Sequence, residues 1–157
     1  MGYRSDVRIT MSKNAYEKFK KYVNEHITNY KNNLIKGTIS SEMNYDYNLL
    51  NHTDIKEENK YNQVLLGWNY IKWYDDYEEV NAIMDSLYKL EENDYGYSYM
   101  RIGEDLEDIE ELYSDATKND GIKYLIQPSY LRCFDDEDTI KFFELERSKG
   151  KENDIER

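Results

Sequence analysis

One cysteine, Cys133, is all the thiol chemistry in this 157-residue chain. That excludes an internal disulfide, and no zinc-ligand spacing is present. Flanked by Arg132 and Phe134, Cys133 reads as a small core residue rather than a nucleophile. Glycine is sparse as well. Gly96 and Gly103 read as strand-end turns, with no Gly-Lys-Ser/Thr beside them, so a phosphate-cradling loop is missing. His26 falls near the end of a helical pattern and suits a cap or partial burial; His52 lies in a polar stretch beside Thr53 and Asp54. No Gly-x-Ser-x-Gly elbow accompanies either, so a nucleophilic triad has no frame. No apolar run reaches membrane-spanning length, and the start of the chain has no signal-peptide core. These absences lead to the expectation of a soluble, intracellular binding protein, not an enzyme, with no cofactor and no membrane contact.

What the chain does have is aromatic residues and segregated charge. Its 39% hydrophobic content is low, but 15% aromatic content compensates, because each ring buries a large area. Its length suits one domain with a real core. Tyrosine is unusually frequent, at 17. Lys, Asn and Ile share its A/T-rich codons and are also abundant, so genome composition competes with function as the origin. The formal net charge is −12. Residues 74–115 hold 15 Asp and Glu against Lys89 and Arg101, a net of −13. Residues 1–36 hold eight Lys and Arg against three acids, a net of +5. A field divided in this way selects partners. The overall acidity also argues against direct nucleic-acid binding, because phosphates would be repelled.

Val7, Ile9 and Met11 alternate with Asp6, Arg8 and Thr10, as in a half-buried strand. Ser12 offers an N-cap, and Ala15, Tyr16, Phe19, Tyr22, Val23 and Ile27 follow at helical spacing opposite a lysine-rich face. Residues 28–60 are polar and Asn-rich and read as an insertion or loop, with at most a short element around 45–50. Residues 61–74 are nearly continuously apolar, which predicts a central strand or two strands bent at Gly67. In that run Val64, Leu66, Trp68 and Tyr70 share one side. Asp75 and Asp76 suit the entry of a second helix, whose buried face is Val80, Ile83, Met84, Leu87, Tyr88 and Leu90. Residues 97–102 read as a strand and 104–113 as a short acidic helix. A last strand at 122–127 is stopped by Pro128, and a final helix covers 138–146. The expected fold is one α+β domain over 1–148, a mainly antiparallel sheet with helices on one face in ferredoxin-like layers. A charged tail occupies 149–157.

Two groups of residues invite a functional reading. Asp75, Asp76, Glu78 and Glu79 lead the second helix, and Glu104, Asp105, Glu107, Asp108, Glu110 and Glu111 crowd the later segment. A solvated face is the ordinary use of such runs. Like charges at neighbouring helical positions repel, however, and a partner rich in Lys and Arg would offset them. EF-hand spacing is not met, because the run from Asp115 to Gly121 sets its glycine one residue late. Loose Mg²⁺ binding and two-carboxylate hydrolysis are weaker readings. The second group is Tyr95, Tyr97 and Tyr99, which alternate with Ser98, Met100 and Ile102 on the opposite face. If Met100 and Ile102 face the core, the tyrosines and Arg101 line the outer face. There, with Tyr77, they would anchor a protein partner or stack a base.

Three pieces belong together: Met1-Gly2-Tyr3-Arg4-Ser5-Asp6-Val7, Ile71-Lys72-Trp73-Tyr74-Asp75-Asp76-Tyr77, and Arg101-Ile102-Gly103-Glu104-Asp105. In order and spacing they resemble a family of short bacteriophage and prophage proteins, over residues 1–113 apart from the 28–60 insertion. The resemblance carries over no catalytic residue. It implies a small accessory protein in the cytoplasm of an infected bacterium. It also implies the class of anti-CRISPR and other anti-defence inhibitors, whose carboxylates stand where nucleic-acid phosphates would sit. The expectation is a nucleic-acid mimic or steric blocker of a host protein with a basic groove, most simply a CRISPR effector. The alternatives are a sequesterer of a nucleotide immune signal and a metal-dependent hydrolase.

Overall fold

A computed structural model describes residues 2–35, 48–105 and 107–115. Along the chain lie β1 (Ser5–Ser12), α1 (Lys13–Ile35), a 3-10 turn (Leu49–Asn51), β2 (Ile55–Glu58) and β3 (Gln63–Ile71). They are followed by α2 (Glu78–Glu92), β4 (Tyr97–Gly103) and β5 (Ile109–Ser114). The five strands form one sheet in the order β2-β3-β1-β4-β5, with every neighbouring pair antiparallel. Its first four strands and two helices follow the split βαββαβ path of ferredoxin-like folds, and β5 extends the sheet past β4. The expected α+β class and layer arrangement hold.

The core follows from the alternation of β1. Val7, Ile9 and Met11 are fully buried beneath Ala15, Tyr16, Phe19, Val23 and Ile27 of α1 and Val80, Ile83, Leu87 and Leu90 of α2. Ser12 caps α1 as its sequence position suggests, its Oγ accepting the Ala15 N–H at 3.0 Å. Trp68 packs tilted against Trp73 at 5.4 Å, and its indole N–H donates to the Leu49 carbonyl at 2.9 Å, which fastens the 3-10 turn. Thr10, Leu65, Ser98 and Met100 point to the other face of the sheet and are buried as well.

Three expectations are corrected. The stretch 28–60 is partly regular: α1 runs on to Ile35 because Tyr30 prolongs its buried stripe, and β2 occupies Ile55–Glu58. A four-residue edge strand with Ile55 as its one buried position shows no alternation to read. Residues 61–74 hold a single strand, the first of the two forms expected, and its ladder to β1 runs through Gly67 unbroken. A Cβ at Gly67 would meet Arg8 Cδ and Ile55 Cβ at 3.1 Å each, so close approach explains this glycine. Tyr88 is exposed on α2 rather than buried. The acidic helix over 104–113 is absent, since 109–114 form β5. Strand pairing removes the repulsion that a helix would impose, because it sets Glu110 opposite Arg101 instead of stacking acids on one helical face. The expected strand at 122–127, helix at 138–146, tail and Cys133 lie outside the described residues.

Candidate functional site

Strand register brings distant pieces of the chain to one end of the sheet. Ser5 of β1 stands between Ile71 of β3 and Gly103 of β4. The N-terminal segment, the β3–α2 connection and the β4–β5 turn therefore meet there. Tyr3 stitches them together. Its backbone N–H donates to the Tyr74 hydroxyl at 2.6 Å, and its own hydroxyl donates to Asp108 Oδ2 at 2.7 Å. The Asp105 N–H donates back to the Tyr3 hydroxyl at 3.2 Å. A Cβ on Gly103 would overlap both the Tyr3 hydroxyl and the Asp108 carboxylate, so only glycine fits between them.

Arg101 organises the adjoining carboxylates. Its Nη2 and Nη1 donate to the two Asp108 oxygens at 2.8 and 3.1 Å, and Nη1 also reaches Ser5 Oγ at 3.1 Å. Glu110 lies 3.7 Å from Arg101 Nε and accepts the Tyr99 hydroxyl at 2.8 Å. The guanidinium, followed by the Tyr3 hydroxyl, holds the Asp108 carboxyl at about 2, well below the usual carboxylate range. The Asp108 bonds in turn push Arg101 upward. Burial, with Glu110 beside the hydroxyl, pushes Tyr99 far up. Burial, with Glu91 nearby, raises Tyr97 to about 12.

The expected tyrosine face is a correction. Tyr97 and Tyr99 pair with Met11 and Ile9 across β1 and share their helix-covered side, at 2% and 1% exposure. Met100 and Ile102 occupy the opposite side. Alternation alone does not decide which side is the core when both carry large residues. Helix packing does, and it takes Tyr97 and Tyr99 away from any partner. Tyr77 and Tyr95 are half-buried against the core. The aromatics that do stand exposed near this end are Tyr3 and Tyr70, which the sequence pattern does not single out.

The ten acids divide into two kinds. Asp108 and Glu110 are tied to Arg101, and Glu78 lies 3.2 Å from His26 Nε2, with Asp85 3.4 Å from Nδ1. This places His26 as a clamp between α1 and α2 rather than a helix cap. Asp75, Asp76, Glu104, Asp105, Glu107 and Glu111 are exposed, while Glu79 is partly covered. Among the described residues no cation pairs with Asp75, Asp76, Glu104, Glu107 or Glu111. α1 departs from Ser12, at the far end of β1, so Lys13, Lys18, Lys20 and Lys21 begin away from the acidic turns. Lys13 and Lys20 pair instead with Glu58 and Glu17.

Among the described residues no group of three or more His, Cys, Asp or Glu side chains is gathered to hold a metal ion. No described helix is long and apolar enough to cross a membrane. Comparison with protein-family profiles, curated proteins and solved structures gives no match for this chain.

Proposed function

We propose that this chain is an accessory protein of a bacteriophage. In this reading it binds and blocks a host nucleic-acid-handling defence protein, most simply a CRISPR effector, in the cytoplasm of the infected cell. The observation that carries the reading is the convergence of two acidic turns, one on each side of the β1 N-terminus. Asp75, Asp76, Glu104, Asp105, Glu107 and Glu111 are exposed there, with half-buried Tyr77 beside Asp76, whereas Tyr95 precedes β4 at the opposite end of the sheet. A concentrated negative end is favoured against a basic groove, where it occupies the place of phosphates. The inward turn of Tyr97 and Tyr99 takes two rings out of the face expected to stack a nucleotide.

The test is a cleavage assay with purified guide-loaded CRISPR effectors and other DNA-cutting defence enzymes. Adding this protein should inhibit at least one of them, with potency falling as NaCl is raised. The quadruple variant Asp75→Lys, Asp76→Lys, Glu104→Lys and Glu107→Lys should melt as a folded protein and lose that inhibition. Undiminished inhibition by the variant would refute the reading. A large thermal stabilisation by a cyclic nucleotide would favour a sequesterer instead.

A further inference from the structure

The last residues of β3 contain an irregularity that turns Ile71, rather than Tyr70, onto the core side of the sheet. Ser5 pairs with Ile71 and Val7 with Trp68, so Asn69 and Tyr70 together oppose Asp6 alone. This is a β-bulge, a feature that bends a strand and re-aims a side chain. Tyr70 within it has φ of +53°, the left-handed region where a bulky residue is an outlier and glycine is usual. The ring gains little burial in return, being 66% exposed.

Several side chains hold this geometry in place. Asp6 Oδ1 accepts the Tyr70 N–H at 2.8 Å, and Asp54 Oδ2 accepts the Asn69 N–H at 2.6 Å. Arg8 Nη2 donates to Asn69 Oδ1 at 2.6 Å, while its Nη1 reaches the carbonyls of Val7 and Trp68 at 2.9 and 3.4 Å. The backbone donors that the bulge takes out of the ladder are thus satisfied. Arg4 backs the ring, its guanidinium carbon 4.9 Å from the centroid and its Nη1 3.3 Å from the Tyr70 carbonyl. A strained residue persists only where its surroundings over-determine it, and such residues cluster at functional surfaces.

We propose that this bulge is a display device: it holds the Arg4-backed Tyr70 ring out of the sheet as the apolar anchor of the partner interface. The partner then has a pocket of apolar character beside its basic groove. This rests on the acidic-end reading above and adds to it the feature that gives hold after charge has given encounter. A rigid, pre-ordered tyrosine loses little entropy on binding, which is why such rings dominate interface energetics.

The test uses full-length protein and two synthetic peptides of equal length and charge, one alternating Arg with Gly and the other Arg with Leu. The parent should bind both and prefer the Leu peptide by about tenfold. Tyr70→Gly relieves the strain, so it should melt no lower than the parent and bind the Arg–Gly peptide unchanged, yet lose the preference. Tyr70→Phe should keep the preference. An unchanged preference in Tyr70→Gly, or a lower melting temperature with intact preference, would overturn the anchor and leave the charge reading standing. If the parent bound neither peptide, both readings would fall.

Discussion

Asp108 is an exposed-side carboxylate with three strong donors around it: two from Arg101 and one from Tyr3. Its folded value of about 2 lies below the roughly 4 of a free aspartate. A depressed carboxyl contributes stability above its unfolded value and loses that contribution as pH falls through its folded one. Asp108→Asn should therefore melt lower than the parent at neutral pH, with the gap closing as pH falls from about 4 toward 2. Thermal melts across that window read the effect directly. The sum will be modest, because a solvent-facing pair is screened. At the same scale, Tyr99 and Tyr70 illustrate opposite uses of one side chain. The first fills the core with its hydroxyl on Glu110; the second stands in solvent on a strained backbone.

At the scale of elements, α1 and β5 show local signals of different strength. The cap at Ser12 and the stripe from Ala15 to Ile27 define α1 before any tertiary contact is known, because the repeat of 3.6 residues is long and Ser12 starts it cleanly. Ser12→Ala removes the acceptor of the Ala15 N–H and should cost about 1 kcal/mol of folding stability in denaturant melts, without moving the acidic end. β5 had no such clarity. Leu106, Ile109, Leu112 and Tyr113 fit a helical repeat, and Glu111 interrupts the strand alternation of Ile109 and Tyr113. The strand was decided from outside the segment, by the β4 ladder and by Arg101.

Across the whole molecule, carboxylates gather at the start of β1, where the two acidic turns meet. At its end Lys13 of α1 pairs with Glu58, and the end of α2 brings Glu91 and Glu92 there as well. Repulsion among unpaired carboxylates acts on the free protein as a standing destabilisation that salt screens within about 10 Å at 0.1 M. Raising NaCl from millimolar to near-physiological concentration should thus raise the melting temperature. The rise should be smaller in the quadruple lysine variant, and scanning calorimetry over a salt series measures both. The same screening weakens inhibition in the cleavage assay. Salt is expected to strengthen the fold and weaken the function together, a pairing that a merely solubilising acidic face would not produce.

The sequence by itself determined the class of the fold, the amphipathic face of α1, the buried stripe of α2 apart from Tyr88, and the existence of an acidic region. Each depends on a local period or a count, and neither changes when the chain folds. Only the tertiary structure decided that both acidic stretches flank Ser5, that Tyr97 and Tyr99 face the helices, that 109–114 pair as a strand, and that Tyr70 is turned outward. Those outcomes depend on register. Shifting a strand by one residue exchanges its two faces, and a single extra residue at Asn69–Tyr70 does so for the end of β3, where no pattern within the strand records it.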